Sequence, residues 1–171
     1  MAKGSPSHIE GSNCIAIGNN SHAEGRETIA GGENGASGAY GAYAHSEGYL
    51  TWAKGEASHA EGKDTVASTY AHAEGHKTKA EGYASHAGGQ ESDVSDGASY
   101  GFAHGYSVKT NHNCAGAIGK ALTTGLESQF VVGAFNKVAN NALFVVGNGT
   151  AQYKRANAFE VLQNGSFVGT P

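Results

Sequence analysis

The chain has 171 residues, among them 27 glycines and 2 prolines, with 15% charged residues, 9% aromatic residues and a formal net charge of −4. That composition leaves too few large apolar side chains for a thick aliphatic core. The lack of a basic run removes the electrostatic footprint of nucleic-acid binding, and no stretch approaches the roughly 20 apolar residues of a membrane helix.

Met1-Ala2-Lys3-Gly4-Ser5 leads into the first repeat without an apolar signal-peptide core. The expectation is therefore a shortened chain or an export route that needs no signal. A phrase of the form Ser/Ala-His-x-Glu-Gly then returns through the first half of the chain. Its copies are Ser7-His8-Ile9-Glu10-Gly11, Ser21-His22-Ala23-Glu24-Gly25, Ala44-His45-Ser46-Glu47-Gly48, Ser58-His59-Ala60-Glu61-Gly62 and Ala71-His72-Ala73-Glu74-Gly75. It fades at Ser85-His86-Ala87-Gly88-Gly89. The step is 14 residues from His8 to His22, His45 to His59 and His72 to His86, and 13 from His59 to His72. A second phrase, Thr-x-Ala-x-Gly, lies between the copies, as in Thr51-Trp52-Ala53-Lys54-Gly55 and Thr78-Lys79-Ala80-Glu81-Gly82.

Periodic glycines argue against disorder, and their spacing is not the every-third-residue rhythm of collagen. A short fixed period denotes a solenoid. Strand alternation puts His and Glu on one face and Ser and Ala on the other, and it pairs Thr with Ala in the second phrase. Each coil thus predicts two strands of about five residues joined by turns of about two, with glycine taking the positive-φ turn positions. Stacked coils give an all-β, flat parallel β-roll whose two sheets press small side chains together. Ala and Glu favour helix, but recurrent Gly, Ser and Thr without an apolar stripe argue against it.

Residues 33–43 lengthen the glycine spacing and read as an outward loop or an irregular coil. Residues 90–113 read as a looser region carrying Asp93, Asp96, Tyr100, Phe102, Tyr106 and His112. Aromatic residues in loops on a rigid scaffold are candidates for ligand contact. Tyr100, Phe102, Tyr106 and His112 are therefore candidate receptor-binding residues, with the packing of a wider coil as the competing reading. From about Leu126 the chain turns to compact apolar strands, Phe130-Val131-Val132-Gly133 and Ala142-Leu143-Phe144-Val145-Val146-Gly147, with turn signals at Asn148-Gly149 and Asn164-Gly165. This predicts a β-roll over residues 1–125 and a β-rich cap and trimerising base over residues 126–171. Cys14 and Cys114 lie about seven coils apart, more than 30 Å at roughly 4.8 Å per coil, which is too far for a disulfide.

The Asn13-Cys14-Ile15-Ala16-Ile17-Gly18 segment and the Ser-His-Ala-Glu-Gly series resemble the YadA-like (Hep/Hag) head repeat of trimeric autotransporter adhesins. Their flavour is closest to the versions in phage and prophage tail fibres. The stretch from Ala142 to Val168 is similar to one that precedes a self-cleaving chaperone domain in some of those fibres. The resemblance implies a left-handed parallel β-roll, a homotrimer, and attachment to a host cell-surface glycan or protein, with no nucleic acid and no membrane insertion by this chain. It implies a place in a virion tail fibre or at the cell surface. One departure matters: the family usually carries aliphatic residues where this chain has His and Glu.

On a threefold axis the ladder His8, His22, His45, His59, His72 and His86, with Glu10, Glu24, Glu47, Glu61 and Glu74, would bring together three copies of each residue. Three readings stand open at this point. The ladder is a polar network fixing trimer register, or a set of axial His triads (at His59 and His72) holding a transition-metal ion, or the solvated face of a monomer. A purely structural fibre shaft is the alternative to an attachment head. Catalysis finds little support. His72-Ala73-Glu74-Gly75-His76 has the wrong order for a zinc-protease helix, repetition argues against a unique active site, and Asp93 and Asp96 are the only loose carboxylates for a tail-spike glycan depolymerase.

Overall fold

The computed structural model describes residues 1–32 and 41–169. The chain alternates long and short strands. β1 (His8–Ser12) precedes β2 (Ile15–Ala16), β3 (His22–Arg26) precedes β4 (Ile29–Ala30), and β5 (His45–Tyr49) precedes β6 (Trp52–Ala53). The pattern continues with β7 (His59–Lys63) and β8 (Val66–Ala67), β9 (His72–His76) and β10 (Lys79–Ala80), and β11 (His86–Gln90) and β12 (Asp93–Val94). It ends with β13 (Phe102–Tyr106) and β14 (Lys109–Thr110), after which only long strands follow: β15 (Gly116–Lys120), β16 (Phe130–Ala134), β17 (Ala142–Asn148), β18 (Asn157–Leu162) and β19 (Phe167–Gly169).

The odd-numbered strands from β1 to β15, then β16 and β17, pair in parallel as ten successive rungs of one sheet. The short strands form a second parallel sheet of seven. The chain is thus an all-β parallel solenoid of about ten turns, as the repeat predicts. The parallel series runs through the 125/126 position and stops at β17. There β18 and β19 continue the long sheet in antiparallel fashion.

The sheets differ in a way that equal half-repeats do not suggest. The His phrase makes five-residue strands that start at His, whereas the Thr phrase contributes only two paired residues per coil. Register follows chemistry: His22 pairs with His45, Glu24 with Glu47 and Gly25 with Gly48. Between the sheets the side chains are small. Ala23, Ala60, Ala73, Ala87 and Ala103 from the long sheet and Ala30, Ala53, Ala67 and Ala80 from the short one are fully buried. Thr28, Thr51, Thr65 and Thr78 are buried beside them, as the alternation predicts. Bulk increases toward the C-terminal rungs, where Val94, Val108, Leu122, Val131 and Val145 fill the interior. Gln129 is buried there too, and its amide is satisfied: Nε2 donates to the Ala139 and Ala142 carbonyls (2.8 and 2.6 Å) while Oε1 accepts from Gly125 N (2.7 Å).

Glycine takes few of the positive-φ turn positions, Gly41 and Gly165 among them. The corners are held by ordinary residues in the left-handed region, among them Asn20, Leu50, Asp64, Tyr70 and Lys77, at φ 55–57°. That conformation costs roughly 1–2 kcal/mol per non-glycine residue. Each corner amide recovers a hydrogen bond to the previous coil, as in Tyr70 N to Glu56 O (2.9 Å) and Lys77 N to Lys63 O (2.8 Å). The glycine of the His phrase sits inside the long strand instead. Gly62 has φ 100°, and a Cβ there would collide with the Gly75 carbonyl oxygen of the next rung. The recurrent glycine therefore allows rung-to-rung contact where a side chain would wedge two coils apart.

Two other expectations change. Residues 90–113 are not loose: β11 and β13 pair in register, His86 with Phe102 and Gly89 with Gly105, so the two extra residues of that coil are absorbed outside the rung. Residues 33–40 of the irregular 33–43 segment lie outside the described residues, and Gly41–Tyr43 forms the turn that leads into β5. Both cysteines are free, Cys14 buried and Cys114 exposed.

Candidate functional site

The outer face of the long sheet is two parallel columns of side chains. The first residue of each rung forms one column, running His8, His22, His45, His59, His72, His86 and then Phe102, Gly116, Phe130 and Phe144. The third residue forms the other, Glu10, Glu24, Glu47, Glu61 and Glu74, then Gly88, His104, Ile118, Val132 and Val146. The face is therefore polar over its first rungs and apolar over its last. Ile118 belongs to this face. Ile15 does not, because it pairs with Ile29 in the short sheet.

Rung spacing stacks the imidazoles. Ring centroids are 4.8 Å apart for His22–His45, His45–His59 and His59–His72, with interplanar angles of 7°, 3° and 4°. The end rings turn: His8 meets His22 at 65° and His72 meets His86 at 89°. The Nε2 atoms of His22, His45 and His59 lie at ion-pair distance from the carboxylate of their own rung: 3.5 Å for His22–Glu24, 3.8 Å for His45–Glu47 and 3.9 Å for His59–Glu61. Glu61 also reaches the following ring, His72, at 3.9 Å. The Nε2 atoms of His22, His45, His59 and His72 are shielded from water and make no hydrogen bond.

Burial pushes the His59 pKa down, and the neighbouring rings of His45 and His72 push it further, against Glu61 and Glu47. His86 is lowered for the same reasons, by burial and then by His72 and His104, against Glu74. Stacked cations would repel at this spacing, so His59 and His86 are held toward the neutral form, in which one nitrogen keeps a lone pair.

The ladder has one repair that the repeat phrase does not reveal. At the sixth rung Gly88 replaces the glutamate. A Cβ there would collide with Nδ1 of His104, which uses the space to approach Glu74 at 3.9 Å, while His86 approaches the same carboxylate at 3.6 Å. Five groups of two imidazoles and one carboxylate result, with the ligand atoms of each within 4.8 Å of one another. They are His8/Glu10/His22, His22/Glu24/His45, His45/Glu47/His59, His59/Glu61/His72 and Glu74/His86/His104.

The aromatic candidates do not converge. Phe102 continues the histidine column and stacks on His86 at 5.1 Å. Tyr106 ends the same strand, roughly 13 Å along it at strand rise, under Lys120 (6.0 Å). His112 sits half-buried in the turn after β14. Tyr100 occupies a corner, 60% exposed, with partners that sequence reasoning missed. Tyr70 and Tyr83 meet edge-to-face at 5.3 Å, and Tyr83 meets Tyr100 the same way at 5.8 Å. This column of three exposed rings runs up one edge of the solenoid. A hydrogen bond to Glu56 and that carboxylate's charge raise the Tyr70 hydroxyl pKa. The signal for it was a tyrosine at or beside the same turn position in successive coils.

No protein-family model, curated protein or solved structure matches the chain. Asp93, raised in pKa by burial and then by Glu81, lies on the short sheet between Lys79 and Lys109, and Asp96 is in the exposed turn beyond it. His72, Glu74 and His76 lie on strand β9, not on a helix. Among the described residues no helix is long and apolar enough to cross a membrane.

Proposed function

We propose that this chain is a non-enzymatic attachment module that assembles as a homotrimer and binds a host-surface glycan or protein, as part of a virion tail fibre or a cell-surface adhesin. The observation that carries this reading is the segregation of two unlike surfaces on one rigid roll. The long-sheet face is suited to a second copy of the same chain. Its columns supply both imidazole donors and carboxylate acceptors, so copies are complementary to each other, and its last rungs present Ile118 (44% exposed) and Phe130 (38%) beside Phe144 and Val146. Residues 126–171 then serve as cap and base: β16 and β17 complete the roll, and β18, itself paired with β19, covers the edge of β17. The tyrosine corner is suited to the ligand: flat rings with hydroxyl rims, ordered by one another, recognise sugar faces or protein surfaces at low entropic cost.

A second reading has its own support. The unbroken register over ten rungs suits a shaft that only spaces another tip. Light scattering behind a sizing column tests assembly, with an expected mass of three times 17.4 kDa; a monomer overturns the trimer. Glycan-array and host-cell binding, lost in the Tyr83→Ser, Tyr100→Ser variant, supports attachment. No binding by the parent chain favours the shaft, and binding unchanged in that variant places attachment on a surface other than the tyrosine corner.

A further inference from the structure

The sequence expectation for metal was one histidine from each of three chains on an axis. The structure brings complete ligand sets together within one chain. We infer that the ladder binds transition-metal ions intramolecularly, each held by two successive histidines and the glutamate beside them, at three sites per chain.

The chemistry follows from the donors. Two imidazole nitrogens and one carboxylate oxygen suit zinc, cobalt, nickel or copper, whereas calcium and magnesium take oxygen shells. A tetrahedral ion with bonds of about 2.0–2.1 Å sets its ligands roughly 3.3–3.5 Å apart. The His22–Glu24 pair is already at 3.5 Å and the His86–Glu74 pair at 3.6 Å. Successive rings must close by roughly 1.4 Å from their 4.8 Å spacing, a change that side-chain torsions accommodate. Four Nε2 atoms are out of water with no hydrogen bond, so a metal would satisfy what the folded chain leaves open. The side chains remain about one-third exposed (36% for both His22 and Glu24), which leaves a path for the ion and a fourth position for water.

The count follows from sharing. Four of the five groups form an overlapping series in which neighbours use the same histidine. One nitrogen lone pair binds one ion, so adjacent groups exclude each other and at most two of those four fill together. The Glu74/His86/His104 group shares no residue with them and adds a third site.

Zinc uptake tests this on the full chain carrying Cys114→Ser, which removes the exposed thiol as a competing ligand. Isothermal titration with Zn²⁺ after chelator treatment should give three ions per chain, and Co²⁺ should give the intense visible bands of tetrahedral coordination. Gly88→Ala alters no ligand but fills the space that His104 uses, and should reduce the count to two. Glu61→Gln should weaken a site in the overlapping series and leave the Glu74 site intact. Far-UV circular dichroism confirms that each variant keeps its fold. All ligands come from one chain, so zinc uptake needs no partner copy: a monomer that takes up three ions overturns the trimer and keeps this inference, and a trimer that takes up none keeps the trimer and overturns this inference. A count other than three, octahedral Co²⁺ spectra, or a count unmoved by Gly88→Ala overturns the inference.

Discussion

Alanine at Gly62 tests whether rung-to-rung contact, rather than turn formation, explains the recurrent glycine. Gly62 has φ 100°, its added Cβ would strike the Gly75 carbonyl oxygen, and Gly75 N would lie 3.0 Å away. Neither obstacle is a flexible side chain, so two coils must separate locally. The backbone conformation alone costs an alanine about 1–2 kcal/mol, and overpacking adds about 1–3 kcal/mol. Gly165 is the matched control. It also has positive φ, 82°, but nothing lies within 4 Å of an added Cβ. It should show only the conformational cost. For a chain of this size each kcal/mol moves the melting temperature by roughly 2–4 °C. Gly62→Ala should therefore melt roughly 10 °C below the parent and Gly165→Ala roughly 4 °C below. Hydrogen exchange should place the Gly62→Ala damage in β5, β7 and β9, since coils of a solenoid couple to their nearest neighbours. Equal melting temperatures for the two variants would refute the close-approach argument.

Two further predictions concern the interior and the ladder. Thr65 and Thr78 occupy equivalent buried positions, but the Thr78 hydroxyl donates to Glu74 O (3.0 Å) whereas the Thr65 hydroxyl has no partner. Thr65→Val should raise stability by about 1 kcal/mol and Thr78→Val should lower it by about as much in urea titrations; the same sign for both would sink the explanation. With chelator present, the lowered pKa values of His59 and His86 mean that the native state binds fewer protons than the unfolded chain below the unfolded histidine value of about 6.5. Their contribution is complete above that pH and is lost as pH falls through the folded values. Melting temperature should hold between pH 8 and 7 and fall between pH 6.5 and 5, and a flat profile contradicts it.

The long-sheet rungs were legible because a two-residue alternation and a nearly constant step act together. Once His22 and His45 share a face, Ala23 and Ser46 must be inside, and both are. Corners were misread because glycine is the usual residue for positive φ. Here the hydrogen bond from each corner amide to the neighbouring coil lets Tyr, Lys or Leu take that conformation, and no propensity argument contains that contact. Residues 90–113 were misread because the phrase changes its letters. Phe102-Ala103-His104-Gly105 is a His-x-Glu-Gly rung with a new residue in each outer position, visible only when Gly105 is aligned with Gly89. His104 was therefore absent from the expected ladder. The tyrosine edge was hidden for a related reason: Tyr70, Tyr83 and Tyr100 are far apart in sequence and meet only when three coils are superposed.

The coils are unequal in sequence and equal in space. Thirteen residues separate His59 from His72 and sixteen separate His86 from Phe102, yet both pairs are neighbours on consecutive rungs. The surplus or deficit is absorbed at the corners, and the sheet advances by the same increment, 4.8 Å between the rings of His59 and His72. Nine such increments from β1 to β17 give a rod of roughly 43 Å at this strand spacing. The molecule is thus a graduated rule. Duplicating or deleting one coil changes its length by a single graduation and leaves both faces in phase, so length can be adjusted without redesigning either the long-sheet face or the tyrosine edge.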